Sequence, residues 1–300
     1  MRVLVTGAGG FIGSHSTRAL VEAGHDVAAV VRPGHPHDRL ADVAERAQVL
    51  EADLADPDRV GVVLDEMKPE AILHAAWYVD PGRYLHAVAE NLAAVATTAG
   101  LLRAGLDSGC GRVVLVGTGF EPGAGGAAGG VDPPQRSVYR SAKAAVHDLA
   151  AGLADEGASV TCAHVFYLYG PGEDANRLVP ALIRACLAGE PIEVTDGRQR
   201  RDYLHVADVA SALCALVEQP TGPSVDVCSG APLEVRELYD AVGAATGRRD
   251  LIRDGARPYG EGEVLVAAGD DSAMRALGWS PSISLRDGVE DCVSFWRSRS

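Results

Sequence analysis

Lysine is almost absent from this chain. Among its 27 basic residues only Lys68 and Lys143 are lysines, and arginine fills every other position. A surviving lysine therefore marks a place that needs a compact ammonium rather than a planar guanidinium. Aromatic residues make up only 5% of the sequence, whereas Ala, Gly and Val are abundant, a balance that excludes extensive disorder. The six cysteines (Cys110, Cys162, Cys186, Cys214, Cys228, Cys292) form no C-x-x-C pair and no short framework. Most sit in apolar runs and are expected to be buried, reduced hydrophobes. No apolar run reaches the roughly 20 residues that cross a bilayer. The net charge of -14 disfavours nucleic acid and anionic membrane surfaces as partners. The chain opens on a strand that runs into glycines, which leaves no signal peptide and points to a cytoplasmic location.

What is present is a regular alternation. Strands are expected at Arg2–Thr6, Asp26–Val31, Ala47–Glu51, Ala71–His74, Arg112–Val116 and Ser159–Val165. Helices separate them at Ile12–Ala23, from Asp56-Pro57 to Lys68-Pro69, at Tyr84–Gly105 and at Ser137–Asp155. Gly24 follows the first helix as a stop, and Asp56 with Pro57 opens the second. This is the pattern of an α/β fold of Rossmann type, a doubly wound parallel sheet with helices on both faces. Beyond Phe166 the rhythm changes to helices near Ala175–Leu187, Val206–Glu218 and Glu234–Thr246 joined by short strands and turns. Residues 1–168, with 203–229 returning to them, are expected to form the dinucleotide domain. Residues 169–202 and 230–300 are expected to form a smaller α/β substrate lobe. The low-complexity stretch Gly123 to Gly130 is expected to be a mobile loop.

Gly7, Gly10 and Gly13, with Phe11 and Ile12 between them, lie between the first strand and the first helix. Such glycines allow a tight turn and let backbone N–H groups approach a pyrophosphate at the helix N-terminus. The second strand ends on Val31-Arg32-Pro33, without the carboxylate that would bind a ribose 2′-hydroxyl. Arg32 can instead pair with a 2′-phosphate, so NADP(H) is favoured, with NAD(H) the alternative. Asp53, after the third strand, is a candidate for the adenine amino group or a loop cap.

Tyr139 and Lys143 stand at i and i+4 on one helix and so share a face. A phenol of pKa about 10 is a poor proton shuttle near neutrality, and a neighbouring ammonium together with a positively charged nicotinamide is expected to bring it down. Thr118, just past the fifth strand, would set its hydroxyl beside the reacting oxygen. These three form the candidate catalytic group. His147 continues the same helical face and is expected to meet a neighbouring helix. His35 and His37 form an H-x-H without a nearby carboxylate cluster, so no metal site is expected.

The order Thr6-Gly7-Ala8-Gly9-Gly10-Phe11-Ile12-Gly13, then Thr118, then Tyr139-Arg140-Ser141-Ala142-Lys143, resembles the extended short-chain dehydrogenase/reductase family of nucleotide-sugar epimerases, dehydratases and ketoreductases. Tyr169-Gly170-Pro171-Gly172 is similar to that family's YGPG turn, and Arg201-Asp202-Tyr203-Leu204-His205-Val206-Ala207-Asp208 to its R-D-[YF]-x-x-V-x-D signature. The resemblance implies that Leu54, Ala75, Ala76 and Asn91 line the cofactor. It assigns Arg201 and Arg177 to a nucleotide diphosphate, with Arg257 standing in for a late arginine that is Gly260 here. It also places Trp77, Tyr78, Gly119, Phe120, Tyr167, Leu178 and Val194 around the sugar. Dehydratases of the family carry Asp-Glu after the threonine, and here Gly119-Phe120 follows Thr118. The resemblance thus implies an NAD(P)H-dependent 4-ketoreductase of a nucleoside-diphosphate keto-deoxysugar. A nucleotide-sugar 4-epimerase with tightly held NAD is the alternative, and a non-catalytic NADP-binding protein the third reading. The family's habit of pairing its long helices across a two-fold axis implies a homodimer.

Overall fold

The computed structural model describes residues 1–121, 124, 137–260 and 263–299. Most of the Gly123–Gly130 stretch lies outside the described residues. Seven strands form one parallel sheet: β1 (Arg2–Thr6), β2 (Asp26–Val31), β3 (Gln48–Glu51), β4 (Ala71–His74), β5 (Arg112–Val116), β6 (Val160–Val165) and, later in the chain, β11 (Ser224–Val227). Their spatial order is β3-β2-β1-β4-β5-β6-β11. The order reverses between β1 and β4, and a crevice opens there at the carboxyl ends of the strands.

Continuous apolar strands need cover on both faces. On one face α1 (Phe11–Glu22) packs against α6 (Val206–Glu218), burying Leu20, Val209 and Leu213 with Val3, Val5 and Leu73 of the sheet. On the other face α2 (Pro57–Met67), α3 (Val88–Asp107) and α4 (Val138–Asp155) bury Leu64, Leu101 and Val146 against Leu4, Ile72 and Leu115. A third core unites α5 (Leu178–Ala188), α7 (Val235–Thr246) and α9 (Leu285–Arg297) around Leu182, Leu238 and Val289. Short strands edge this smaller lobe. β7 (Tyr167–Tyr169) pairs with β10 (Tyr203–His205), β8 (Ile192–Glu193) with β13 (Ile252–Arg253), and β9 (Arg200–Arg201) lies between β12 (Leu233–Glu234) and β14 (Val266–Ala267). The short helix α8 (Ser272–Ala276) packs beside β11. All six cysteines are buried and unpaired.

Two helices begin later than expected, each for a local reason. The Asn91 amide donates to the carbonyls of Tyr84 and Ala87, holding residues 84–87 as a turn ahead of α3. The Asp174 side chain accepts from the Asn176 N–H, and this turn delays α5 to Leu178. Lys68, one of the two lysines, caps α2 with φ +44°, and its N–H bonds to the Leu64 carbonyl.

The acids of the Arg201–Asp208 motif hold the chain together. Asp202 is fully buried and accepts from the N–H groups of Ser229 and Gly230 at 2.6 and 3.1 Å. Asp208 accepts from Ser282 N–H, Ser282 Oγ and Ile283 N–H at 3.0, 2.9 and 3.1 Å, pinning the C-terminal segment to α6. Replacing Asp208 with Ala strands these donors, and we expect urea unfolding to show a loss of about 3 kcal/mol. A loss below about 1 kcal/mol would mean that the segment is anchored elsewhere.

Candidate active site

The glycine turn closes on itself. Gly7 has φ +70°, and a Cβ there would lie 2.7 Å from the backbone of Ala75 and Ala76. A Cβ on Gly13 would lie 2.1 Å from the Gly7 carbonyl oxygen, which also accepts the Gly10 N–H at 2.9 Å. Only glycine lets α1 start this close to the end of β1. Gly10 caps the helix without a side-chain bond, and the first turn carries no acid. The N–H groups at Phe11 and Ile12 are thus open to an anion, as a dinucleotide pyrophosphate requires. Arg32 is exposed at the end of β2. Asp53 is exposed as well, and its carboxylate accepts from Ala55 N–H, while Leu54 helps to line a cavity of about 360 Å³ between α2 and α3.

At the bottom of the crevice three residues form a buried hydrogen-bonded file. Thr98 Oγ1 donates to the Ala94 carbonyl at 2.7 Å and accepts from His74 Nε2 at 2.9 Å. His74 Nδ1 then accepts from Thr6 Oγ1 at 2.7 Å. This assigns the neutral Nε2–H tautomer. Burial, reinforced by the Lys143 charge, pushes the imidazole down to about 3.

Ser137 caps α4 by accepting the Arg140 N–H, and the helix turns Tyr139 and Lys143 inward together. Lys143 Nζ donates to the Val116 carbonyl at 2.6 Å and sits 3.9 Å from the centre of the Trp77 ring. Burial pulls its ammonium down, and the Glu121 carboxylate opposes that shift. Tyr139 is 8% exposed, and its ring meets Tyr84 edge-on at 4.8 Å and Trp77 at 6.3 Å. Thr118 hydrogen-bonds its hydroxyl. Burial, then Tyr84 and Glu121, push the phenol well up. The Thr118 hydrogen bond and the Arg177 charge oppose that shift.

Asn91 is fully buried, with its oxygen on the Trp77 indole N–H at 3.0 Å. Trp77 is thereby fixed beneath Lys143. The Tyr78 hydroxyl donates to Asp80 at 3.0 Å. A Cβ on Gly119 would run into the Phe166 ring at 2.7 Å. Phe120 lies edge-on to Tyr167 and under the Arg140 guanidinium. Arg177 reaches over Tyr84 and lies close enough to Tyr139 to act on its charge. Arg201 is buried over Tyr167, with Nη2 on Glu263 at 2.6 Å and Nη1 on the Arg200 carbonyl. Leu178 packs against the small-lobe core and Val194 is buried within it. Arg257 is exposed, and its N–H holds the Val194 carbonyl. Sequence reasoning missed Tyr84, Glu121 and the Thr6–His74–Thr98 file, of which only Thr6 belongs to a quoted motif, its hydroxyl partner lying 68 residues further on. It also misplaced His147, which tilts against His164 of β6 at 5.2 Å rather than meeting a helix. His35 and His37 belong to neither cluster of metal-ligating side chains among the described residues.

The model of the NAD dependent epimerase/dehydratase family matches residues 3–228. The chain belongs to this family. A dTDP-4-dehydro-6-deoxy-D-allose reductase of Streptomyces is 30% identical over 98% of this chain and 96% of its own length. A UDP-glucose 4-epimerase of Mycolicibacterium smegmatis is 29% identical over 100% of both. The solved UDP-glucose-4-epimerase of Stenotrophomonas maltophila, with bound NAD and formylated UDP-arabinopyranose, superposes with a TM-score of 0.87. It is 25% identical, covering 100% of this chain and 98% of that one. The protein is thus an NAD(P)-dependent enzyme of the extended short-chain dehydrogenase/reductase type, a reductase or an epimerase. No helix among the described residues is long and apolar enough to cross a membrane.

His74 yields a pH prediction. Its folded value lies below the ordinary 6.5, so the unfolded chain binds the extra proton first and stability falls as pH drops from about 6.5 to about 3. The full loss is on the order of 5 kcal/mol. A His74→Gln variant should show a shallower decline in denaturant titrations across that window. An unchanged slope would place the acid sensitivity elsewhere.

Proposed function

We propose that this enzyme is an NADPH-dependent reductase of a nucleoside-diphosphate 4-keto-deoxysugar. What supports the reading is the buried Tyr139 phenol hydrogen-bonded to Thr118, together with Gly119-Phe120 where a dehydratase would carry its acid pair. In net reduction the ring oxygen must be protonated, and the Tyr139 hydroxyl is the group placed to do so. An epimerase must take up and return that proton in each cycle. The bound dinucleotide supplies the hydride. Tyr139 gives its proton to the ketone oxygen, Thr118 hydrogen-bonds the same oxygen, and Lys143 provides a buried positive charge beside the developing alkoxide.

Residues 1–168 with 203–229 hold the cofactor, through Gly7, Gly10, Phe11, Ile12, Gly13, Arg32, Asp53, Leu54, Ala75, Ala76, Tyr139 and Lys143, whereas Asn91, its side chain spent on Trp77, Tyr84 and Ala87, supports the site from behind. Residues 169–202 and 230–300 hold the nucleotide sugar. Arg201, now engaged by Glu263, and Arg177 are the diphosphate ligands, because a guanidinium fork matches phosphate oxygens. Phe120 and Tyr167 form the apolar wall that a deoxygenated sugar carbon prefers.

With NADPH and a dTDP-4-keto-6-deoxyhexose, the enzyme should consume reduced nicotinamide. Tyr139→Phe should lower kcat by about 10²- to 10⁴-fold without unfolding the protein. Unchanged absorbance with that sugar, together with interconversion of UDP-glucose and UDP-galactose, would assign a 4-epimerase instead. Arg32→Ala should weaken NADPH binding by about tenfold and leave NADH binding unchanged. Equal effects on both cofactors would remove Arg32 from the 2′-phosphate.

A homodimer is part of the same proposal. Val88 and Leu92 on α3 and Leu149 on α4 are 55%, 60% and 41% exposed, apolar residues on two helices that pack side by side. Leu92→Asp should convert a dimer to a monomer in light scattering, and a wild-type monomer would refute the assembly.

A further inference from the structure

Behind Thr118 runs a buried polar chain that the reaction just described does not use. Glu121 lies three residues on, with its side chain turned inward and no exposed surface. Its Oε1 accepts the Thr118 backbone N–H at 2.7 Å, and its Oε2 accepts the Cys162 thiol at 3.3 Å. The same Oε2 faces His164 Nε2 at 3.7 Å. The other ring nitrogen, Nδ1, is 3.0 Å from Asp226 Oδ1, and Asp226 Oδ2 accepts the Asp270 N–H at 2.9 Å. The chain thus links the ends of β5, β6 and β11 to the residue beside the reactive phenol.

Proton accounting decides the charges. Both oxygens of Glu121 and Oδ2 of Asp226 accept protein donors, as ionised carboxylates do. Nδ1 therefore donates to Asp226. Nε2 has no hydrogen-bond partner and looks onto a carboxylate oxygen from a ring that is 1% exposed. A lone pair at Nε2 would set two acceptors face to face in a dry site, an unfavourable arrangement. A proton there makes the ring a cation between two anions, which is how buried charges are tolerated. The other groups around the ring fit this state. Lys143 on α4 supplies the second positive charge beside Glu121. Cys162, on the same strand as His164, is held in its thiol form by burial and by Glu121. His147 on α4 lays its ring against His164 at 5.2 Å and directs Nδ1 away, to Asp148.

The backbone at Thr118 shows what the chain controls. Gly117 N–H bonds to the Ala163 carbonyl at 2.7 Å and Gly119 N–H to the Val165 carbonyl at 2.9 Å. The intervening Thr118 N–H is taken by Glu121. A Cβ on Gly117 would come within 2.9 Å of both Cys162 Sγ and Glu121 Oε1, so the glycine makes room for the carboxylate.

We propose that His164 is a buried imidazolium clamped between Glu121 and Asp226, and that this clamp is the positioning device that fixes Thr118 against Tyr139. The clamp itself stands independently of the reaction, whereas its catalytic consequence rests on the reductase reading above. Glu121 and His164 touch neither substrate nor cofactor in this scheme. They act through the Thr118 backbone.

The test uses the full-length protein labelled with ¹⁵N-histidine. Two-bond proton–nitrogen spectra at neutral pH should show His164 protonated on both nitrogens, identified by its loss in His164→Gln. Glu121→Gln keeps an acceptor for Thr118 but removes the charge, so His164 should revert to a single proton on Nδ1. In that variant kcat with NADPH and a dTDP-4-keto-6-deoxyhexose should fall by about 10- to 100-fold, with KM and NADPH affinity within about twofold of wild type. The double variant Glu121→Gln/His164→Gln should be no slower than the worse single variant, because the two act as one unit. A singly protonated His164 in the wild type overturns the proposal without recourse to any variant. So does a stoichiometric metal ion bound by Glu121, Cys162 and His164, or an unchanged kcat in Glu121→Gln. Failure of the reductase reading would appear separately, as full activity in Tyr139→Phe, and would leave the histidine spectrum as it is.

Discussion

A fully enclosed ammonium has to be compensated, and the interior of this enzyme is organised around that requirement at Lys143. Its three sources of compensation are the Val116 carbonyl at 2.6 Å, the face of Trp77 at 3.9 Å and the charge of Glu121. Each recruits further residues. Trp77 is fixed by Asn91, which also shapes the turn ahead of α3. Val116 ends β5 in register with Ala163 of β6, so the sheet itself sets the depth of the ammonium. Glu121 links the ammonium to Thr118, Cys162 and His164.

The same burial disfavours ionisation of the phenol. A tyrosine beside an ammonium in water would ionise more easily, yet Tyr139 is packed between Tyr84 and Trp77, where a phenolate loses its hydration. At the far side of the crevice the Thr6–His74–Thr98 file solves a different problem. His74 lies close enough to Lys143 to feel its charge, and staying neutral it adds no second cation there.

Much of this was readable from the chain. The strand and helix alternation, the glycine turn, and the Tyr139–Lys143 spacing depend on local periodicity, which sequence displays directly. Thr118 was legible because it follows a strand. The smaller lobe was less so, since its two-residue strands have no period to detect. The acids of the Arg201–Asp208 motif could be found but not interpreted, because Asp202 and Asp208 serve backbone donors that lie 27 and 74 residues further on. The resemblance puts Trp77 beside the sugar. Only the fold brings Lys143 over its face. Glu121 and Asp226 were invisible for a related reason, since a buried carboxylate is defined by partners on other strands.

The central claim is that this buried phenol and ammonium serve net reduction of a nucleotide-linked ketone. Transfer of label from NADPH deuterated at the reactive nicotinamide carbon tests it most directly. We expect one deuterium at the carbinol carbon of a dTDP-deoxysugar product, with one NADP⁺ formed per turnover. Product without deuterium, or label lost back to the cofactor with no oxidised dinucleotide released, would contradict it.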